Sequence, residues 1–468
     1  MEKNNDYLLT AKIPSLIVKY SIPCIVSLLV AALYNIVDQL FIANADYLGA
    51  YGNAANNVVF PLTMVALAIT TMIGDGCCTF ASMSLGKGDK ESASKAVGMS
   101  ISLLVLSSLV ITAIYLLFPS LIIKAFGGDV KQETYNLSKE YFFWISLGIP
   151  FYMFGQGVNP IIRSDGNPEK ALLVLLSGAI VNIILDPIFI FGLYLGMMGA
   201  AVATVAGQVV SALLSLVFII KMKTMKIEKS SFVIRWNYVK RIIALGFSSF
   251  LSQISVVLSM AAVLNMLKKY GMKDPIFSQP LYAHIPVAVV GIVMKLFQIV
   301  ISMSIGLATG CIPVVDYNNG AGKSDRVVKI IKTLMVIELA LGLISSIILV
   351  GGKNILITIF GGNGESIHYT TFAQKAIISF LSLLILSTFN KGATIFLKAA
   401  GDAKSAAVLS VLREIIMGVG LPILLPYFFG LDGLLWFMPI GDLITTIFSV
   451  LYLVETSKTI HKKPALSI

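Results

Sequence analysis

Residues 84–96 read SLGKGDKESASKA, and residues 318–330 read NNGAGKSDRVVKI. Both are glycine- and lysine-bearing connections between long apolar runs, and their spacing decides the fold. The pairing recurs: FGGD at 126–129 with FGGN at 360–363, IIRSDGNPEKA at 161–171 with FLKAAGDAKSA at 396–406, and DPIFIFGLYLGMMGA at 186–200 with LPILLPYFFGLDGLL at 421–435. The offset stays near ~234 residues throughout, which marks an internal duplication.

What is duplicated is a set of membrane helices. Of the 468 residues, 57% are hydrophobic and 13% charged, against about 25% charged in a soluble domain. Runs of ~20 apolar residues or more, enough to cross a bilayer as helix, follow one another along the chain. Splitting them at polar, glycine and proline punctuation predicts an all-α membrane protein with twelve transmembrane helices. The expected spans are 15–43, 53–84, 94–118, 134–162, 170–191, 195–220, 239–267, 280–317, 326–350, 369–398, 405–426 and 432–455. Each half holds six helices, an even number, so each starts and ends on the same side. The halves are therefore parallel repeats about an axis along the membrane normal. The expected domains are an amino-terminal six-helix lobe (1–221), a cytoplasmic linker (222–238) and a carboxy-terminal six-helix lobe (239–468). Such a pair of bundles encloses a central cavity able to open to alternate faces. The polar first ~13 residues lead into an apolar run too long for a signal-peptide core and without a cleavage site, so the first helix is expected to be retained.

The net charge of +11 resides in the connections. One set holds Lys87, Lys90 and Lys95, then Arg163 and Lys170, then Lys221 to Arg241, then Lys323 to Lys332, with Lys458, Lys462 and Lys463 in the tail. The opposite connections, such as NADYLGAYGN and GLYLGMM, hold none or few. This is the positive-inside pattern, not a nucleic-acid footprint, and it puts both termini in the cytoplasm of a multi-pass cell-membrane protein.

Two carboxylates sit where lipid surrounds the chain: Asp38 in YNIVDQLFIA and Asp186 in VNIILDPIFIFG. A charge at mid-membrane costs about 2.5–3.5 kcal/mol on the insertion scale, so each is a functional-site hypothesis. At about 1.5 Å per residue, Asp38 lies ~28 Å beyond Lys19 and Asp186 ~24 Å beyond Lys170, with Thr204 at a matching depth on the returning helix. Asn182 is one turn before Asp186 on the same face. Pro187 lacks an N–H, is expected to break the helix, and frees the Ile183 carbonyl. Carboxylate, amide, hydroxyl and carbonyl oxygens together suit H⁺ or Na⁺, so the possible metal site is Na⁺ at Asp38, Asn182, Asp186 and Thr204.

Other features are quieter. Asp75, in TMIGDGCC, is a further buried acid opposite Thr309 of the second half. Lys295 and Lys391 are basic groups on helices 8 and 10, and Lys391 aligns with Gln156 of the first half, so all three are candidate wall residues of a substrate cavity. Glu338, Arg413 and Glu414 read as structural pairs of the second bundle. The four cysteines all lie in apolar runs and read as packing residues, and the three histidines are dispersed. There is no GxxxxGK[ST], no HExxH and no GxSxG. ATP, catalysis and a bound cofactor are therefore not expected, the coupling ion aside, and nothing demands more than a monomer.

The sequence resembles the multidrug and toxic compound extrusion (MATE) family, of the multidrug/oligosaccharidyl-lipid/polysaccharide flippase superfamily. The residues that carry the resemblance are Pro23 with Asp38, the SLGKGD connection, NPIIRSDGNP, and NIILDPIFIFG followed by GAAVAT. The likeness is to the bacterial and archaeal branch whose coupling acids lie in the amino-terminal lobe. It implies a V-shaped cavity between the bundles and antiport of H⁺ or Na⁺ against small organic, often cationic, compounds, in contact with membrane lipids. It also implies a cation site at Asp38, Asn182, Asp186 and Thr204 with the Ala200 carbonyl, a cavity lined by Tyr141 and Asn159, and a bend at Pro23. Some relatives carry acids in helices 7, 8 and 10; here Gln253, Lys295 and Lys391 stand there instead. The alternative is a flippase for a lipid-linked saccharide, which would need cationic cavity residues. An intramembrane enzyme or a receptor is the reading from another class.

Overall fold

Runs this apolar can satisfy their backbone polar groups in lipid only as helix, and every regular element among the described residues is helical. The computed structural model describes residues 3–45, 47–125, 132–279, 281–283, 285–358 and 366–462. In chain order the elements are α1 (Lys3–Thr10), α2 (Ile13–Asn44), α3 (Gly49–Gly86), α4 (Lys90–Leu117), α5 (Pro119–Ala125), α6 (Gln132–Ser164), α7 (Pro168–Pro187), α8 (Gly196–Ile220) and α9 (Trp236–Gly271). The series continues with α10 (Ile285–Gly310), α11 (Ile312–Gly320), α12 (Ser324–Gly351), α13 (Lys353–Ile357), α14 (Ile367–Leu381), α15 (Leu384–Ala399), α16 (Ala403–Ser410), α17 (Leu421–Leu435) and α18 (Phe437–Lys462).

Among the described residues, eleven helical stretches are long and apolar enough to cross a membrane. The expected span at 134–162 corresponds to α6, a 33-residue helix that is not among the eleven. Its apolar character is diluted by Tyr141, Gln156, Asn159 and two prolines, Pro150 and Pro160. It packs against α3, α4 and α8, and residues such as Phe142, Ile149 and Met153 are buried there.

The chain divides into two compact units: Met1–Gln253 with Gly310–Lys323, and Ile254–Thr309 with Ser324–Ile468. In the first unit, Ile42, Val59, Ile123, Phe142 and Met197 belong to one core cluster. In the second, Val263, Ile285, Phe380, Leu384 and Leu434 belong to another.

The duplication read from the connections is present bond by bond. After α3, Gly88 N–H donates to the Leu85 carbonyl and Asp89 N–H to that of Ser84; after α11, Gly322 donates to Asn319 and Lys323 to Asn318. Both glycines have positive φ, 81° and 69°, as the left-handed helix cap requires. The connection after α6 (Gly166 to Arg163, Asn167 to Ile162) is matched after α15 (Gly401 to Lys398, Asp402 to Leu397). Within the first unit α3 and α11 also cross closely. A Cβ on Gly86 would lie 2.1 Å from the Tyr317 carbonyl oxygen, and one on Gly320 would lie 2.0 Å from that of Met83.

Several boundaries differ from expectation. The eighth span starts at Ile285 rather than at 280, since 281–283 are turn, and it is interrupted at Cys311. The tenth is interrupted at 382–383. The eleventh contains a π-helical segment, Val411–Gly420, and α17 is kinked at Gly430, whose φ of 57° and ψ of −143° are not helical. Residues 431–435 follow that break, next to the expected start of the twelfth span at 432. Pro187 does not break its helix: its backbone stays helical (φ −64°, ψ −32°) and the chain passes into a π turn, Ile188–Gly192. The Tyr47 hydroxyl donates to the Ile190 carbonyl at 2.6 Å and accepts from Gly196 N–H at 3.3 Å, bracing that turn. FGGD at 126–129 and FGGN at 360–363 lie outside the described residues.

Candidate functional site

Four helices of the first unit converge on the two acids. Asp38 comes from α2, Asn182 and Asp186 from α7, Thr204 from α8 and Tyr141 from α6. Asp38, Asp186, Asn182 and Tyr141 are all buried, Asp186 completely (0% exposed). The Asp38 and Asp186 carboxyls face each other within interaction range, and Tyr141 stands beside both acids and Thr204. Asn182 Nδ2 donates one of its two hydrogens to Thr204 Oγ1 at 3.3 Å, and the same amide stands within reach of Asp186.

The hydrogen-bond count then becomes decisive. Asp38 Oδ1, both oxygens of Asp186 and Asn182 Oδ1 have no donor of good geometry. Ionised carboxylates only accept, so two facing acids cannot satisfy one another. Two like charges at close range in a dry site do not both persist without something positive between them. The arrangement therefore fits a shared proton or a small hard cation, which prefers oxygen ligands. Ala200 is fully buried one turn before Thr204 on α8, on the same side of that helix.

Beside the pair lies a groove lined by Tyr34, Tyr152, Gln156, Asn182, Thr204 and Gln208, among others. Asn182 and Thr204 thus belong to both the acid cluster and the groove. Gln156, chosen from the repeat alignment, lies in the same groove.

Other predicted residues lie elsewhere. Asn159 Nδ2 donates to the Ala171 carbonyl at 2.7 Å, and its Oδ1 accepts from Arg163 Nη1 at 3.2 Å. It ties α6 to the first turn of α7, apart from the acids. Pro23 lies inside a continuous α2, where its carbonyl accepts from Ser27 Oγ at 2.7 Å. Asp75 Oδ2 accepts from Ser249 Oγ of α9 at 2.7 Å.

In the second unit Lys295 is exposed on α10, whereas Lys391 is buried and paired with Glu414. Arg413 bonds Glu414 at 3.0 Å and Asp442 at 2.9 Å. Asn390 Nδ2 donates to the Asp442 carbonyl at 2.8 Å, while its Oδ1 accepts from Ser449 at 2.9 Å. Arg413 and Glu414 are structural pairs, as expected, whereas Glu338, which the sequence grouped with them, joins no ion pair among the described residues. Asp442 was not singled out, although an acid in MPIGDLITT answers to the same rule that found Asp186.

Comparison with known proteins places this geometry in context. The MatE family profile matches residues 23–188 and 260–424. The chain is 24% identical to the Multidrug export protein MepA of Staphylococcus haemolyticus over 459 residues, 96% of this chain and 95% of that one. A crystal structure of MATE in complex with MaL6 superposes with TM-score 0.88 at 23% identity, covering 99% of this chain and 100% of that one. A MOP superfamily transporter from Pyrococcus furiosus gives TM-score 0.87 at 24% identity, with coverage of 99% and 100%.

Proposed function

The chain belongs to the MatE family, and on that footing we propose that it is a secondary active multidrug exporter, driven by inward movement of H⁺ or Na⁺ at the Asp38–Asp186 pair. One observation carries the reading. A buried acid pair, in which Asp38 Oδ1 and both oxygens of Asp186 lack a hydrogen bond of good geometry, shares Asn182 and Thr204 with an amphipathic groove inside the same unit. Export is what the name of the staphylococcal relative states of that protein. Tyr34, Tyr152 and Gln156 on the groove wall offer aromatic faces and an amide to flat organic cations. The span count is twelve with α6 included, the protein sits in the cell membrane, and the lysine-rich connections and both termini face the cytoplasm.

The cycle follows from differential affinity. A cation taken from outside neutralises the acid pair and removes the penalty of burying two like charges. The state that encloses the pair is then favoured over the state that holds the organic compound, which leaves outward. The coupling works only to the extent that cation and compound prefer different states. Pro23 supplies a soft point in α2, because it lacks the N–H that would bond the Lys19 carbonyl. The saccharide-lipid alternative loses support because Lys391, a cation a diphosphate would need, is engaged by Glu414.

The test is ethidium transport in proteoliposomes under imposed H⁺ or Na⁺ gradients. Wild type is expected to follow one of the two gradients. Asp186→Asn should lower gradient-driven transport at least about tenfold, the rate equivalent of ~1.4 kcal/mol. Unchanged transport and ion dependence in Asp186→Asn would refute the reading.

A further inference from the structure

Glu338 stands outside the charge balance of the second unit. It lies on α12 and is fully buried (0% exposed). Its Oε2 contacts Ser304 Oγ of α10 at 2.7 Å, and Oε1 has no partner. The Thr388 hydroxyl of α15 donates to the Glu338 backbone carbonyl at 2.8 Å, not to the carboxyl. The charged groups on the elements around it are Lys391 and Lys398 on α15, Lys375 on α14, Lys353 on α13, Asp442, Glu455, Lys458 and Lys462 on α18 and Lys295 on α10, with Asp325, Arg326, Lys329 and Lys332 at the start of α12 itself. Lys391 and neighbouring Arg413 are matched by Glu414 and Asp442, and Lys375 by Asp432. Glu338 joins no ion pair among the described residues.

The duplication shows that packing does not require an acid there. At the repeat offset of about 234 residues, Glu338 corresponds to Leu104, Ser304 to Thr70 and, one residue further on, Gly392 to Gly157. In the first unit a Cβ on Gly157 would meet Leu104 Cδ2 at 2.6 Å and Thr70 Cγ2 at 3.2 Å. In the second, a Cβ on Gly392 would meet Glu338 Cγ at 2.9 Å. Leu104 and Thr70 are as buried as Glu338 (0% each). The same niche, a helix wedged on a glycine of its neighbour, is filled by leucine in one half and glutamate in the other. Leucine satisfies the packing, so the carboxyl answers to chemistry.

We propose that Glu338 is a proton-binding site of the carboxy-terminal unit, loaded in this conformation and emptied when α10, α12 and α15 separate enough to admit water. The geometry accommodates the loaded form. A proton on Oε2 is donated to Ser304 Oγ, and the Ser304 hydroxyl turns to the Thr388 carbonyl, 3.4 Å away. Only a carbonyl-type acceptor, Oε1, is left over. In the ionised form one hydroxyl would have to serve a full buried charge, which the site does not otherwise balance. The role rests on the cation-driven export proposed above, with Glu338 adding a proton step outside the Asp38–Asp186 pair.

The test uses the full chain in lipid vesicles, with Asp38→Asn and Asp186→Asn as background so that the amino-terminal acids do not contribute. Infrared spectra taken across a pH series should show the carbonyl band of a buried protonated carboxyl at neutral pH. That band should vanish in Glu338→Gln and shift in Glu338→Asp and Ser304→Ala. Glu338→Leu imitates the first unit, should fold, and should lose the band as well. Proton release on adding ethidium, read with a pH dye, should fall by about one proton per chain in Glu338→Gln and Glu338→Leu. A band that survives both substitutions overturns the proposal. So does its loss with no change in released protons, which would make Glu338 a structural acid. Neither outcome depends on whether Asp38 and Asp186 couple transport.

Discussion

Asp186 is completely buried and neither of its oxygens has a donor, so its neighbourhood is unfinished in a way that Lys391's is not. Lys391, Glu414, Arg413 and Asp442 neutralise one another inside the second unit. Removing one member of such a group leaves a buried charge short of its partner. Lys391→Met should therefore destabilise the protein by about 3 kcal/mol, the lower end of the range for a broken buried pair, because Arg413 still bonds Glu414. Thermal unfolding in detergent reads this as a loss of several degrees. Adding Glu414→Gln to Lys391→Met should recover part of the loss, and strictly additive losses would contradict the pairing. The same contrast explains what sequence revealed at this scale. Asp38 and Asp186 are conspicuous as acids in apolar runs. That Lys391 is consumed by Glu414 depends on the path of a π-helical segment, which no local pattern announces.

Three helices, α4, α14 and α16, start at a residue whose side chain accepts from a backbone N–H of the first turn. Asp89 precedes α4, and its Oδ1 accepts from Ser92 N–H at 2.9 Å. That bond, with the charges of Lys95 and Lys87 helping, holds the Asp89 carboxyl below the usual range. A depressed carboxyl stabilises the fold above its ordinary value near ~3.9 and loses that contribution as pH falls through its folded value. Asp89→Ala should thus cost about 1 kcal/mol at neutral pH, and the deficit should close in acid. Unfolding temperatures of both proteins across pH would check it; a deficit that grows in acid would contradict the cap. The connections flanking these caps were legible in sequence because glycine and lysine placement is local. The π turn at Ile188–Gly192 was not, because it is braced by Tyr47, whose partner Ile190 is 143 residues away along the chain. The helix α6 was legible as helix but reads weakly apolar, since it buries Ser138, Ser146, Asn159 and Arg163 and exposes Glu133, Lys139 and Glu140 near its start.

The whole molecule is a duplication whose copies share the caps of their connections and differ in the chemistry of their buried groups. The caps after α3 and α11 share one hydrogen-bond pattern, yet the acid pair belongs to the first half and Glu338 to the second. Divergence of this kind lets one architecture hold a buried acid pair in one copy and an ion-paired network in the other. The central claim is that Asp38 and Asp186 act as one site sharing one positive charge. Groups acting as a unit are non-additive. The direct test is gradient-driven ethidium transport by reconstituted Asp38→Asn, Asp186→Asn and the double variant. The account predicts that each single substitution lowers the rate about as far as the double one does. Two independent losses that multiply in the double variant, or a wild-type rate in either single variant, would contradict it.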